Sequence, residues 1–94
     1  MKEEIIHWPE MRIFTKGPKI LKLPRKLYKL MEYFMANPNR IIDIEELEDT
    51  VWYDSNITSN TIASHISKLR KLLNKNFDME CIETSHGFGY IFKI

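Results

Sequence analysis

Thr61, Ser64, His65, Lys68 and Lys71 recur at spacings of three, four and seven residues, the interval that lines side chains along one face of a helix. Hydroxyl, imidazole and ammonium groups in that arrangement offer hydrogen-bond donors and positive charge along a line. No carboxylate interrupts them: between Ser55 and Phe77 the only charged residues are Lys68, Arg70, Lys71 and Lys75. Such a face suits an extended anionic partner, although a merely solvated helix face has a similar composition. Other chemistries have no foothold. There is no nucleophile-base pair and no glycine-rich phosphate loop, and His7, His65 and His86 lack metal-ligand spacing. No enzymatic activity, metal or cofactor is therefore expected.

The whole chain has 94 residues, a mass of 11.3 kDa and a formal net charge of +1. That length predicts one domain over residues 1–94. With 44% hydrophobic residues the chain has enough apolar material for a modest core. The near-zero net charge conceals a pattern. Arg12, Lys16, Lys19, Lys22, Arg25, Lys26 and Lys29 form a run of bases with no acid among them, and Asp43, Glu45, Glu46, Glu48 and Asp49 form the reverse. With the later basic segment, these three alternating blocks predict separate surfaces that meet different partners. The lone Cys81 excludes an internal disulfide and favours a reducing compartment, the cytoplasm. Neither a signal-peptide segment nor a membrane-spanning run is present in these residues.

The elements that must carry these residues follow from periodicity and breakers. Short β-like runs around Pro9, Lys16-Gly17-Pro18-Lys19 and Pro24 predict a small antiparallel sheet over about residues 4–23, its runs being Ile5–Trp8, Met11–Thr15 and Ile20–Leu23. Leu27, Leu30, Met31, Phe34 and Met35 then mark a helix over about 25–36, stopped by Asn37-Pro38. Asp43 and Glu46 have the spacing of a capping box, with Asp43 accepting from the helix and Glu46 reaching back. They open a helix over about 44–52. A polar loop, Tyr53 to Ser59, leads to a third helix over about 60–74, buried on Ile62, Ile66, Leu69 and Leu73, with Asn60 available as its cap. A hairpin over about 80–94 closes the chain, turning at Ser85-His86-Gly87-Phe88-Gly89. The predicted class is α+β, a winged helix-turn-helix.

Four stretches, in this order, make the chain resemble the effector domain of OmpR/PhoB-type response regulators. They are Lys29 to Met35 with Asn37-Pro38; Glu45-Glu46-Leu47 through Val51-Trp52; Thr61 to Leu73; and Ile82-Glu83-Thr84 with Gly87-Phe88-Gly89-Tyr90. The resemblance runs from about Leu23 to Phe92. It implies sequence-specific binding of double-stranded DNA for transcription regulation in a two-component system. A protein-interaction module with the same fold, or a stand-alone regulator with weak or no DNA binding, is the alternative.

The resemblance also implies roles. Ser64 and Lys68 would read base edges in the major groove, and His65 and Ser67 would share that face. Asn60, Thr61 and Trp52 would donate to phosphate, as would Arg70 and Lys71 on the far part of the helix. In the hairpin, Thr84 and Tyr90 would contact phosphate and His86 would approach the minor groove. Glu45, Glu48, Asp49, Tyr53, Asp54 and Asn56 fall where the family meets RNA polymerase. Direct-repeat DNA sites, a head-to-tail homodimer on DNA, and a receiver domain ahead of this segment in a longer chain are the remaining implied partners. The family usually has arginine or another polar residue where this chain has Asn60, and often a basic residue where it has Ser67 and His86, which implies a shallower salt dependence.

Overall fold

The computed structural model describes residues 3–94. Strand β1 (Ile5–Trp8) pairs antiparallel with β2 (Ile13–Lys16), and β2 with β3 (Lys19–Leu21), giving a sheet in chain order. The second strand starts at Ile13 and not at Met11 as the sequence predicted. Arg12 takes a φ of 55°, and the turn closes through Met11 N to Trp8 O (3.1 Å) and Arg12 N to Pro9 O (3.3 Å), so Met11 belongs to the turn. The third strand likewise ends at Leu21, short of Leu23, because Pro24 already caps the next helix. Gly17 takes the positive φ of 59° that the tight β2–β3 turn requires.

Helix α1 (Arg25–Ala36) coincides with its predicted range and buries Leu27, Tyr28, Leu30, Met31 and Phe34. After it comes β4 (Ile41–Ile42), which the sequence reading did not contain. Two residues carry no readable period, and this strand exists only because β6 (Gly89–Phe92) supplies its partner through the pairs Ile41 to Ile91 and Ile42 to Tyr90. With β5 (Ile82–Ser85) the second sheet has the order β4-β6-β5. Ser85 and Gly89, which the sequence assigns to the turn, pair as the last rung of the hairpin, so the tip is His86, Gly87 and Phe88.

Helix α2 (Ile44–Thr50) is capped by Asp43, whose Oδ1 accepts from Glu46 N at 2.7 Å. The other half of the capping box is absent. Glu46 instead accepts a bidentate pair from Arg40 (2.6 and 3.0 Å) and a hydrogen bond from the Tyr33 hydroxyl, tying α2 to the end of α1. Arg40, and after it Tyr33, hold the Glu46 carboxyl below its usual range; that carboxylate in turn raises the Tyr33 phenol. The helix also ends at Thr50, two residues early, since Val51 and Trp52 both turn back onto Leu47 O.

Helix α3 (Ser59–Phe77) is longer than predicted at both ends. Thr58, not Asn60, is the cap: its side chain accepts from Thr61 N at 3.3 Å, which places Asn60 inside the first turn. The far end extends past Asn74 to bury Phe77 completely. Asp78 then takes a left-handed conformation, φ 53°, and donates its N–H to Asn74 O at 2.9 Å. Lys16 reaches over from β2 to donate to Phe77 O at 2.8 Å, where a cation also favours the negative helix end. The core lies between the helices and both sheets, with Phe14 and Leu21 of the first sheet buried alongside Leu30, Leu47, Ile66, Leu69 and Phe92 and the rings of Phe34 and Phe92 stacked 6.0 Å apart.

Two positions of this frame can be tested. A Cβ at Gly89 would stand 2.2 Å from Ile42 O, at a φ of 150°, whereas one at Gly87 (φ 83°) would meet nothing. Gly89→Ala should therefore cost about 3 kcal/mol and Gly87→Ala about 1 kcal/mol, read by denaturant unfolding. Glu46 gives the pH dependence. Its folded pKa is lowered, so its contribution is complete above the ordinary glutamate pKa of about 4.3. That contribution is lost as pH falls through the folded-state value. Glu46→Gln should flatten the acid limb of the stability curve below about pH 5 without abolishing it, since Asp54 is lowered too, chiefly by Lys26.

Candidate nucleic-acid interface

At about 100° per residue, Asn60, Thr61, Ser64, Ser67, Lys68 and Lys71 fall within roughly a third of the circumference of α3. All six are exposed, and the buried Ile62, Ile66, Leu69 and Leu73 occupy the opposite side. Lys75 is exposed too and continues the same face one turn beyond Lys71. The sequence reading missed it as a site residue because it ended the helix at Asn74. No acid lies on this helix.

His65 and Trp52 sit at the flank of the face. His65 Nδ1 lies 2.8 Å from Thr61 O, so it is the nitrogen that carries a proton, which turns Nε2 outward as an acceptor while the ring is neutral. The ring meets Trp52 edge-on at 5.3 Å. Trp52 is only 2% exposed, which makes it core. Among the described residues its indole N–H has no hydrogen-bond partner, yet no enclosed side-chain polar atom lacks one.

Arg70 leaves this face. It projects about 120° round the helix from Ser64, toward β5, and is half-buried. Its Nε donates to Ile82 O at 3.0 Å, one terminal nitrogen donates to Thr84 Oγ1 at 2.5 Å, and the guanidinium lies 5.8 Å from the centre of the Tyr90 ring. Arg70, Thr84 and Tyr90 thus form one cluster at the root of the hairpin, while His86 stands exposed at the tip beside Phe88. An open groove of about 550 Å³ separates the tip from Asp43, Ile44 and Glu45.

The acidic residues lie elsewhere. Glu45, Glu48, Asp49, Tyr53, Asp54 and Asn56 are exposed on α2 and the loop that follows it, Tyr53 at 70%. Part of the first basic block is drawn onto that loop and onto the end of α3. Lys26 donates to Val51 O and Asp54 Oδ1, each at 3.1 Å, and Lys29 lies 6.0 Å from the Tyr53 ring centre. Lys16 is spent on the end of α3. Of the first basic block, Lys16, Lys26 and Lys29 therefore brace the helix end and the loop while Lys19, Lys22 and Arg25 are exposed, and the exposed lysines of α3 are the uncommitted cations of its own face. Among the described residues no group of three metal-ligating side chains comes together. No helix among them is long and apolar enough to cross a membrane.

Comparisons with known proteins agree with this arrangement. Residues 18–92 match the family described as "Transcriptional regulatory protein, C terminal". The chain belongs to this family, the OmpR/PhoB-type winged-helix effector domains of transcriptional regulators. It is 43% identical over 78 residues to the transcriptional regulatory protein CrdR of Helicobacter pylori, covering 83% of this chain and 34% of CrdR. Among solved structures, the DNA-binding domain of E. coli CadC superposes with a TM-score of 0.86 at 26% identity, covering 98% of this chain and 88% of that one. The DNA-binding domain of the response regulator AdeR, solved in complex with an intercistronic region, gives 0.85 at 22% identity, covering 100% and 98%. This last likeness is one of fold. The chain spans 34–40% of the length of the curated relatives it matches.

Proposed function

We propose that this chain binds double-stranded DNA in a sequence-specific manner to regulate transcription, as the effector domain of a two-component response regulator, and that it does so without catalysis. The observation that carries this reading is the exposed face of α3, a continuous line of donors and lysines with no acid, held on a buried stripe that leaves it free. A helix of this width fits the major groove, where Lys68 and Ser64 would meet base edges and His65 and Ser67 would border them. Asn60, Thr61 and the Trp52 indole N–H would take phosphates at the start of the helix, and Lys71 and Lys75 further along it. His86 at the hairpin tip would approach the neighbouring minor groove.

Acids on α2 would repel phosphate, so Glu45, Glu48, Asp49, Tyr53, Asp54 and Asn56 form the surface turned away from DNA. We assign it to a protein partner, a subunit of RNA polymerase. Head-to-tail pairing of two copies on direct repeats, a receiver domain elsewhere in a longer chain and a cytoplasmic location complete the reading. Its support is membership of the regulatory family and likeness to the DNA-binding domain of CadC, with AdeR sharing the fold.

Three exposed lysines on the face predict a plot of log affinity against log salt with a slope of about −3 per monomer. Lys68→Ala should weaken binding to the preferred duplex by about tenfold and relax selection at one base position. Selection from random duplexes followed by salt titration provides the measurement. Salt-independent association with a protein, without duplex binding at micromolar concentration, would replace this reading with the interaction-module alternative.

A further inference from the structure

The hairpin meets α3 at one polar junction. Among the described residues the only hydrogen bonds from α3 to β5 come from Arg70, to Ile82 O and Thr84 Oγ1. Thr84 is the cross-strand partner of Tyr90, whose ring lies under the same guanidinium. Arg70 therefore holds both strands of the hairpin, β5 through Ile82 O and Thr84 Oγ1 and β6 through the Tyr90 ring. Below the rung of Thr84 and Tyr90, Ile82 is buried in the core; above it the chain reaches an exposed tip at His86.

We propose that Arg70 is a positioning residue that sets the angle between the recognition helix and the wing, its charge being used within the protein instead of on the phosphate backbone. This rests on the DNA-binding reading given above. The lever is long enough to matter. His86 lies four residue steps beyond Ile82, about 13 Å at about 3.3 Å per residue, so a tilt of about 10° at the root displaces the tip by about 2 Å. That exceeds the tolerance of a hydrogen bond, whose heavy atoms must lie within about 2.7–3.2 Å of each other. A wing free to tilt by this amount would have to be ordered anew each time DNA is bound.

The guanidinium is suited to the task because its rigid fork aims donors at two acceptors while its flat face rests on an aromatic ring. Lysine keeps the charge and loses the fork. Arg70→Lys separates the two roles, and Thr84→Val removes an acceptor without changing any charge.

The experiment compares the 94-residue chain with Arg70→Lys, Thr84→Val and the double variant, after thermal unfolding has shown that each is folded. Salt titrations on the selected duplex and hydroxyl-radical footprints report on DNA binding, and amide NMR order parameters report on the hairpin without DNA. The expected result is an unchanged salt slope and a loss of affinity of about tenfold in either single variant, from the cost of ordering a freed wing. Protection should be lost at the hairpin end of the footprint while the helix end is retained. Residues 85–89 should show lowered order parameters in free protein, and the double variant should be no worse than Arg70→Lys alone, since that change already removes the contact to Thr84.

Wild-type affinity and order in Arg70→Lys, with Arg70→Ala reducing the salt slope by about one, would overturn the proposal and make Arg70 a phosphate contact. So would a footprint weakened evenly along its length. Failure of the wild-type chain to bind any duplex would overturn the DNA reading instead, and the NMR measurement would still decide whether Arg70 orders the hairpin.

Discussion

Burial of Ile62, Ile66, Leu69, Leu73 and Phe77 along one stripe of α3 is the contact on which the rest of this molecule depends. At roughly 1.5–3 kcal/mol for each fully buried large apolar side chain, the stripe carries about 10 kcal/mol before entropy is charged against it, comparable to the whole net stability of a small domain. The helix therefore cannot rotate to present another face. Because its orientation is set from within, the opposite side is free to carry residues that take no part in the core. Asn60, Thr61, Ser64, Ser67, Lys68 and Lys71 occupy it.

The remaining elements hold this helix from its ends and its flank. Thr58 caps its start, and the loop before it is braced by Lys26 through Val51 O and Asp54. Lys16 from the N-terminal sheet closes its far end at Phe77 O. Arg70 holds the hairpin against its side, and Gly89 lets that hairpin lie directly on the backbone of Ile42 and Asp43. Four bases that look alike in the sequence thus divide by their neighbours. Lys16, Lys26 and Arg70 are spent on carbonyls and side chains of the protein, while Lys68 faces outward. The net charge of +1 says nothing of this division, since an interface responds to the charges that remain uncommitted.

Much of the frame was legible in advance. The stripe of α1, the buried positions of α3, the Asp43 cap and the hairpin glycines are local patterns, and local patterns survive folding when the core rewards them. The misread parts each had a distant cause. Strand β4 requires β6, fifty residues away. Glu46 abandoned the capping box because Arg40 and Tyr33 offered stronger partners. The last turn of α3 forms because Phe77 finds the core and Lys16 finds its carbonyl, neither of which is visible in Asn74-Lys75-Asn76-Phe77.

By itself, then, the sequence determined the class of domain, the order of its elements and the residues available on the face of the third helix, because periodicity, caps and turn residues act over a few positions. Only the tertiary structure decided which of those residues are free. Whether Lys26 or Arg70 meets solvent, a carboxylate or a carbonyl depends on groups brought within about 3 Å by folding, and spacing along the chain does not encode that distance.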